Sequence, residues 1–160
     1  MSDLQQPEQP LNERARTRLA WSLLLIRVGI FSVFVMWTID KFINPEHAAA
    51  VFKKFYGISE LSELLAYVVG GVQMVILLVF LVGAFRTWSY GIILGLHAIS
   101  TFSSWSAYID PWTYPHLLFF AAIPMLSACI TLWLLREFDT YTVDGCRRPR
   151  VQPNASQQVA

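Results

Sequence analysis

The sequence predicts an all-α integral membrane protein: a four-helix bundle with both termini in the cytoplasm and a short interfacial helix after the first span. Its 160 residues are 55% hydrophobic and only 14% charged, which disfavours a soluble bundle because soluble helices need polar stripes. About half of the chain lies in four apolar runs, each about as long as the ~20 helical residues that cross a bilayer. These runs are Trp21 to Ile39, Leu64 to Phe85, Trp88 to Trp105 and Leu117 to Leu135.

The tryptophans support the same spans, because indole prefers the boundary between water and lipid. All lie at a predicted helix end or in a loop between two ends: Trp21, Trp37, Trp88, Trp105, Trp112 and Trp133.

The basic residues predict the orientation, since they stay preferentially on the cytoplasmic side. Arginines precede the first span, separate the second from the third and follow the fourth: Arg14, Arg16, Arg18, Arg86, Arg136, Arg147, Arg148 and Arg150. Lys41, Lys53 and Lys54 are on the other side. Both termini are therefore expected in the cytoplasm, and the first span is expected to remain uncleaved.

Three regions follow from this division of the chain. Residues 1–18 are expected to form a disordered cytoplasmic tail, and residues 139–160 a cytoplasmic C-terminal tail. Residues 19–138 form the membrane domain, with spans at about 19–40, 60–85, 88–106 and 115–136.

Local signals in the first outer loop predict a helix from Pro45 to Tyr56 that lies at the outer membrane surface. Asn44 can cap this helix, Pro45 suits its first turn and Gly57 can end it. Its apolar and basic residues lie on different faces. Ser59 and Glu60 are expected to begin the second span.

The sequence disfavours several kinds of chemistry. Cys129 lies within a span and Cys146 in the C-terminal tail, without the CxxC spacing of a redox centre. The chain has no phosphate-binding glycine loop, zinc-protease motif or nucleophile elbow, and nothing indicates binding of nucleic acid.

Polar residues inside the spans are the candidates for function, because each is costly in lipid without a partner. Counted from the cytoplasmic ends at ~1.5 Å per residue, Arg27 lies roughly 10 Å deep, Gln73 17 Å, His97 13 Å and Ser127 12 Å. Helical spacing predicts three inward-facing polar stripes: one from Arg27 to Lys41, one containing Tyr90, His97, Thr101, Ser104 and Tyr108, and one containing His116, Ser127 and Thr131.

A ligand site formed by Arg27, Gln73, His97, Thr101 and Ser127 is therefore predicted, with His97 as the residue that transfers a proton. The alternative is that these groups only hydrogen-bond between helices. Arg27 has further alternatives: it can reach the headgroups, or pair with Glu137 or Asp139.

Residue type and depth bear on two other kinds of site, a metal site and a haem site. Asp40, His47, Asp110 and His116 have the side chains of a divalent-metal site at the outer surface, although their spacing matches no metal motif. A haem between His97 and His116 is disfavoured, because these residues differ in depth by roughly 12 Å. A haem on His97 with a non-histidine partner stays open.

The run Leu25-Ile26-Arg27-Val28-Gly29-Ile30-Phe31-Ser32-Val33-Phe34, closed by Asp40-Lys41-Phe42, resembles the opening of DoxX-like membrane proteins. The resemblance continues through Gly70-Gly71-Val72-Gln73 and Leu81-Val82-Gly83 and covers about residues 19–135. The sequence departs from that family at Gln73, where an acidic residue is frequent, and at Asp40, where a small one is usual.

The resemblance implies a small subunit or membrane partner of a quinone-linked redox system in the bacterial inner membrane. It would bind quinone with Arg27, Gln73 and His97 and associate with other subunits or with copies of itself. A non-catalytic scaffold or assembly subunit is the competing hypothesis. A small permease is a third, although the sequence lacks inverted repeats.

Overall fold

The computed structural model describes residues 12–58 and 62–147, and within these ranges it contains helices and no strands. In chain order the α-helices are α1 (Glu13–Ile43), α2 (Pro45–Tyr56), α3 (Glu63–Val82), α4 (Arg86–Ser103), α5 (Trp105–Ile109), α6 (Ala122–Leu134) and α7 (Val143–Arg147). Short 3-10 helices precede and follow α6, at His116–Ala121 and Arg136–Phe138. Residues 13–18 were predicted as part of the disordered N-terminal tail, but they form the first turns of α1. Residues 1–11 and 148–160 of the two predicted tails lie outside the described residues.

The bounds of the helices follow from local signals. The Asn12 side chain caps α1 by accepting a hydrogen bond of 2.8 Å from the backbone N–H of Arg14. The predicted helix Pro45–Tyr56 is confirmed as α2, and Gly57 ends it in the left-handed conformation at φ 70°. Ser62 caps α3, whereas the predicted start at Ser59 and Glu60 lies outside the described residues.

The helices α1, α3, α4 and α6 pack around one apolar core. Helix α1 packs against α3 and α6, and α4 packs against the same two helices. The core contains residues from all four helices: Leu23, Ile30, Phe34, Leu77, Phe80, Tyr90, Ile93, Cys129 and Leu132. Most of the other apolar side chains on these helices face outward, as expected for a protein whose solvent is lipid.

Three helical stretches are long and apolar enough to cross a membrane: Glu13–Ile43, Glu63–Val82 and His116–Leu134. Helix α4 corresponds to the predicted third span, but it is not among these stretches. Its face towards the other helices is polar, with Arg86, Ser89, His97 and Thr101 buried. The all-helical membrane fold is thus confirmed, while the fourth crossing and the orientation of the termini stay predictions.

The helical phases predicted for the first and third spans are correct. Arg27, Phe34 and Thr38 of α1 are buried, as are Tyr90 and His97 of α4.

The inward phase predicted for the last span is wrong, because Ser127 is exposed while Cys129 and Leu132 face the core. The Ser127 hydroxyl donates to the Ile123 carbonyl of its own helix at 3.2 Å. A hydroxyl satisfied in this way can face lipid at little cost.

Candidate functional site

The most extensive buried polar cluster joins Arg27 of α1, Tyr90 of α4 and Asp139, which follows the last 3-10 helix. We call these three residues the Arg27 cluster. Arg27 Nη1 donates to Asp139 Oδ2 at 2.7 Å and to the Tyr90 hydroxyl oxygen at 2.8 Å. The Tyr90 hydroxyl in turn donates to Asp139 Oδ2 at 2.7 Å. Two donors, one from Arg27 and one from Tyr90, thus share one carboxylate oxygen of Asp139.

The cluster is sealed from solvent. The side chains of Arg27 and Asp139 are 2% and 0% exposed. The second donor nitrogen, Arg27 Nη2, donates to the backbone carbonyl of Tyr141. Within the cluster, two buried atoms have no hydrogen-bond partner among the described residues: Arg27 Nε and Asp139 Oδ1. This enclosed ion pair joins α1 to the residue that follows the last 3-10 helix.

The charge state of Asp139 depends on opposing effects. Burial raises the pKa of its carboxyl above the usual value, because the ionised form loses its hydration. The hydrogen bond from Tyr90 and the positive charges of Arg27 and Arg86 act in the opposite direction.

Residues 136–147, here called the C-terminal segment, are fixed to the helix ends by further contacts. Arg86 Nη1 donates to the backbone carbonyls of Arg136 and Asp139, each at 2.7 Å. The backbone N–H of Arg86 donates at 2.9 Å to Asp144 Oδ2, so Asp144 caps the start of α4, where Phe85 offers no side-chain cap. The C-terminal segment therefore supplies the side-chain cap that the residue before α4 does not provide.

Gly83 lets the C-terminal segment approach the end of α3. Its φ of 68° is left-handed, and a Cβ built there would lie 2.5 Å from Thr142 Cβ and 2.8 Å from Arg27 Nη1. A side chain at this position would collide with both the segment and the cluster.

The structure does not bring together the predicted ligand residues Arg27, Gln73 and His97. His97 Nε2 donates to the Ala122 carbonyl at 3.1 Å, and its ring meets the edge of Phe34 at 5.9 Å. Phe34 is seven residues beyond Arg27 on α1, which places the two levels about 10 Å apart.

The hydroxyls of the other two predicted ligand residues, Thr101 and Ser127, are hydrogen-bonded within their own helices. Thr101 donates to the backbone carbonyl of His97 at 2.8 Å, and Ser127 faces outward. Gln73 is half-buried and makes no side-chain hydrogen bond to another described residue. Arg27 thus bonds to Asp139 and hydrogen-bonds to neither Gln73 nor His97. That pairing is one of the alternatives the sequence left open.

The acidic and histidine residues of the predicted metal site form two pairs. His47 Nδ1 lies 2.7 Å from Asp40 Oδ2, and His116 Nδ1 lies 4.0 Å from Asp110 Oδ2. The described part of the chain contains no group of three or more His, Cys, Asp or Glu side chains suited to a metal ion. The predicted four-residue metal site is thus not assembled.

Fold and site together define the class: a helical membrane protein whose buried polar residues fasten its helices to the segment that follows them. The chain belongs to the family of the methylamine utilisation protein MauE, whose model matches residues 19–114, more than half of the chain. No curated protein and no solved structure matches.

The family match contradicts the assignment to DoxX-like proteins that the sequence motifs suggested, so that assignment is wrong. The short apolar and glycine motifs on which it rested are common in membrane helices and do not discriminate between families. The matched residues include Arg27, Tyr90 and His97, whereas Asp139 lies beyond them.

Proposed function

We propose that this chain is a multi-pass membrane partner of a redox system, and that it assembles or holds that system without itself transferring electrons. The support is the match to the methylamine utilisation family over residues 19–114. Oxidation of an amine releases electrons to an acceptor, so a membrane protein of such a system works beside redox enzymes. The enclosed Arg27 cluster favours a structural role for the most extensive polar group of the bundle.

The proposed orientation places both termini in the cytoplasm of a bacterial inner membrane, with four crossings. Arg27 and Arg86 contact the C-terminal segment, so the start of α4 and the end of α6 lie at the same end of the bundle. All seven arginines in the described part of the chain belong to that end, whereas Lys41, Lys53 and Lys54 belong to the opposite end or to α2. This asymmetry supports α4 as the third of four alternating spans.

Two arguments favoured a quinone site formed by Arg27, Gln73 and His97: the resemblance to DoxX-like proteins and a buried Arg27 available to a ligand. Neither argument holds. The family that implied quinone chemistry does not match, and Arg27 is bonded to Asp139. A proton-transfer role for His97 alone stays a separate hypothesis, which is tested by the His97 substitution described in the Discussion.

Complementation tests the proposal. A methylamine-utilising bacterium that lacks its own MauE protein should regain growth on methylamine when it carries this chain, with growth on succinate as the control. Absorption spectra and extracted lipids of the purified chain should show neither a haem band nor stoichiometric quinone. Either cofactor at one per chain would contradict the non-catalytic role. Failure to grow while the chain accumulates in the membrane would contradict the link to methylamine utilisation.

A further inference from the structure

We propose that the first turns of α1 bind the phosphate of an anionic phospholipid, through Arg14 and Arg18 above the indole of Trp21. Arg14, Thr17, Arg18 and Trp21 share one face, since their spacings of three and four residues follow the helical repeat. Together with Glu13 and Ser22 they line an open groove on this face. The proposal rests on side chains along more than two turns and needs no contribution from the amides at the helix end.

The depth of these residues fits the headgroup layer. Helix α1 has 31 residues, about 46 Å at ~1.5 Å per residue, which exceeds a hydrocarbon core of ~30 Å. Arg27 and Tyr90 are bonded and therefore lie at one level, and α4 begins only four residues before Tyr90. Helix α1 begins 14 residues before Arg27 and thus extends about 15 Å farther than α4.

Trp21 marks the boundary between hydrocarbon and headgroups on the part of α1 that extends beyond α4. Trp21 is 52% exposed and packs against Tyr141 at 5.0 Å between ring centroids, so the indole is held in place by the C-terminal segment. Tryptophan prefers the interface between hydrocarbon and headgroups. Arg18 lies about 5 Å beyond Trp21, within a headgroup layer of about 5 to 7.5 Å, and Arg14 lies about 10 Å beyond Trp21, at the water-facing edge of that layer.

The positive charges of Arg14 and Arg18 favour an anionic ligand in this groove. Arg14 and Arg18 are exposed and form no ion pair with any described carboxylate. The hydroxyls of Thr17 and Ser22 donate to carbonyls of their own helix, so the guanidinium groups supply the charged donors of the groove. Guanidinium groups bind phosphate oxygens in a fixed fork geometry. A phosphodiester with net negative charge, as in phosphatidylglycerol, matches this groove better than a zwitterionic headgroup.

The test compares two arginines that are two residues apart on the same helix. Arg16 is also exposed, but it points about 160° to 200° away from Arg14 and Arg18, so Arg16→Gln is matched to Arg18→Gln in charge and position. The purified full-length protein in neutral detergent is titrated with phosphatidylglycerol or phosphatidylcholine, and bound lipid is counted by native mass spectrometry. Because each basic residue at an anionic surface contributes about a fivefold factor, Arg18→Gln should weaken phosphatidylglycerol binding about fivefold. Arg14→Gln/Arg18→Gln should weaken it about 25-fold, and Arg16→Gln less than twofold.

Three results would overturn the proposal. Equal losses for Arg16→Gln and Arg18→Gln would show diffuse attraction to a charged surface. Equal binding of the two lipids would remove the role of charge. Full competition by inorganic phosphate would identify a site for a soluble anion. Binding in micelles does not depend on membrane orientation or on redox partners, so its failure is distinguishable from failure of the proposed function.

Discussion

Replacing Asp139 with alanine removes the one carboxylate that Arg27 contacts within the described structure. The change leaves a guanidinium group that is 2% exposed without its counter-charge, and it deprives the Tyr90 hydroxyl of its acceptor. Breaking a buried ion pair at one partner costs about 3 to 5 kcal/mol. Asp139→Ala should therefore lower the folded-to-unfolded ratio by a factor of about a hundred or more.

The contribution of each partner can be separated. Tyr90→Phe keeps the ring against Phe80 and loses only the hydroxyl, so we expect a cost of about 1 kcal/mol. Combining Asp139→Ala with Arg27→Met removes both charges, and we expect the double variant to be less destabilised than the sum of the single ones. This non-additivity is the signature of a direct pair.

The assay is equilibrium unfolding of the purified full-length chain in mixed detergent micelles, followed by tryptophan fluorescence. Asp110→Ala is the matched control, because Asp110 is 59% exposed and its contact to His116 spans 4.0 Å, so we expect a cost below about 1 kcal/mol. The reasoning is refuted if Asp139→Ala and Asp110→Ala shift the unfolding midpoint equally, or if the effects of Arg27→Met and Asp139→Ala simply add.

Three further predictions follow from the same structure. Gly83→Ala should destabilise the protein by more than about 1 kcal/mol in the unfolding assay, since its φ is 68° and its Cβ would collide with the C-terminal segment, whereas Gly71→Ala, with open space around it, should be neutral or stabilising. His97→Gln keeps a donor for the Ala122 carbonyl, so it should cost at most about 1 to 2 kcal/mol and leave methylamine-dependent growth intact; loss of growth at matched protein level would restore a proton-transfer role. Reporter fusions after Gly57 should mark the outer side and fusions at Arg86 the cytoplasmic side, and an outer signal at Arg86 would contradict the proposed topology.

Local and compositional signals determined the helical part of this molecule. A run of apolar residues long enough for a bilayer predicts a membrane helix without reference to its neighbours, because backbone hydrogen bonds must be satisfied within the segment. The bounds of α2 were also predictable from local sequence, because Pro45 and Gly57 act on the adjacent backbone. The family could not be recognised from short motifs, because apolar and glycine pairs recur in many membrane helices.

Only the tertiary structure decided which polar groups meet. Arg27 and Asp139 are 112 residues apart in sequence, so their contact depends on the path by which the C-terminal segment folds back over the helix ends. The sequence placed Arg27 and His97 at similar depth, whereas the structure puts them at levels about 10 Å apart. Depth counted from the end of each span leaves open how far the helices are shifted along one another. The direction of Ser127 was likewise not predictable from its residue type. Its hydroxyl is hydrogen-bonded within α6, so the side chain can face either lipid or core. Local sequence determines helices because their bonds are local, whereas the pairing of buried charges is decided by packing among segments that are distant in the chain.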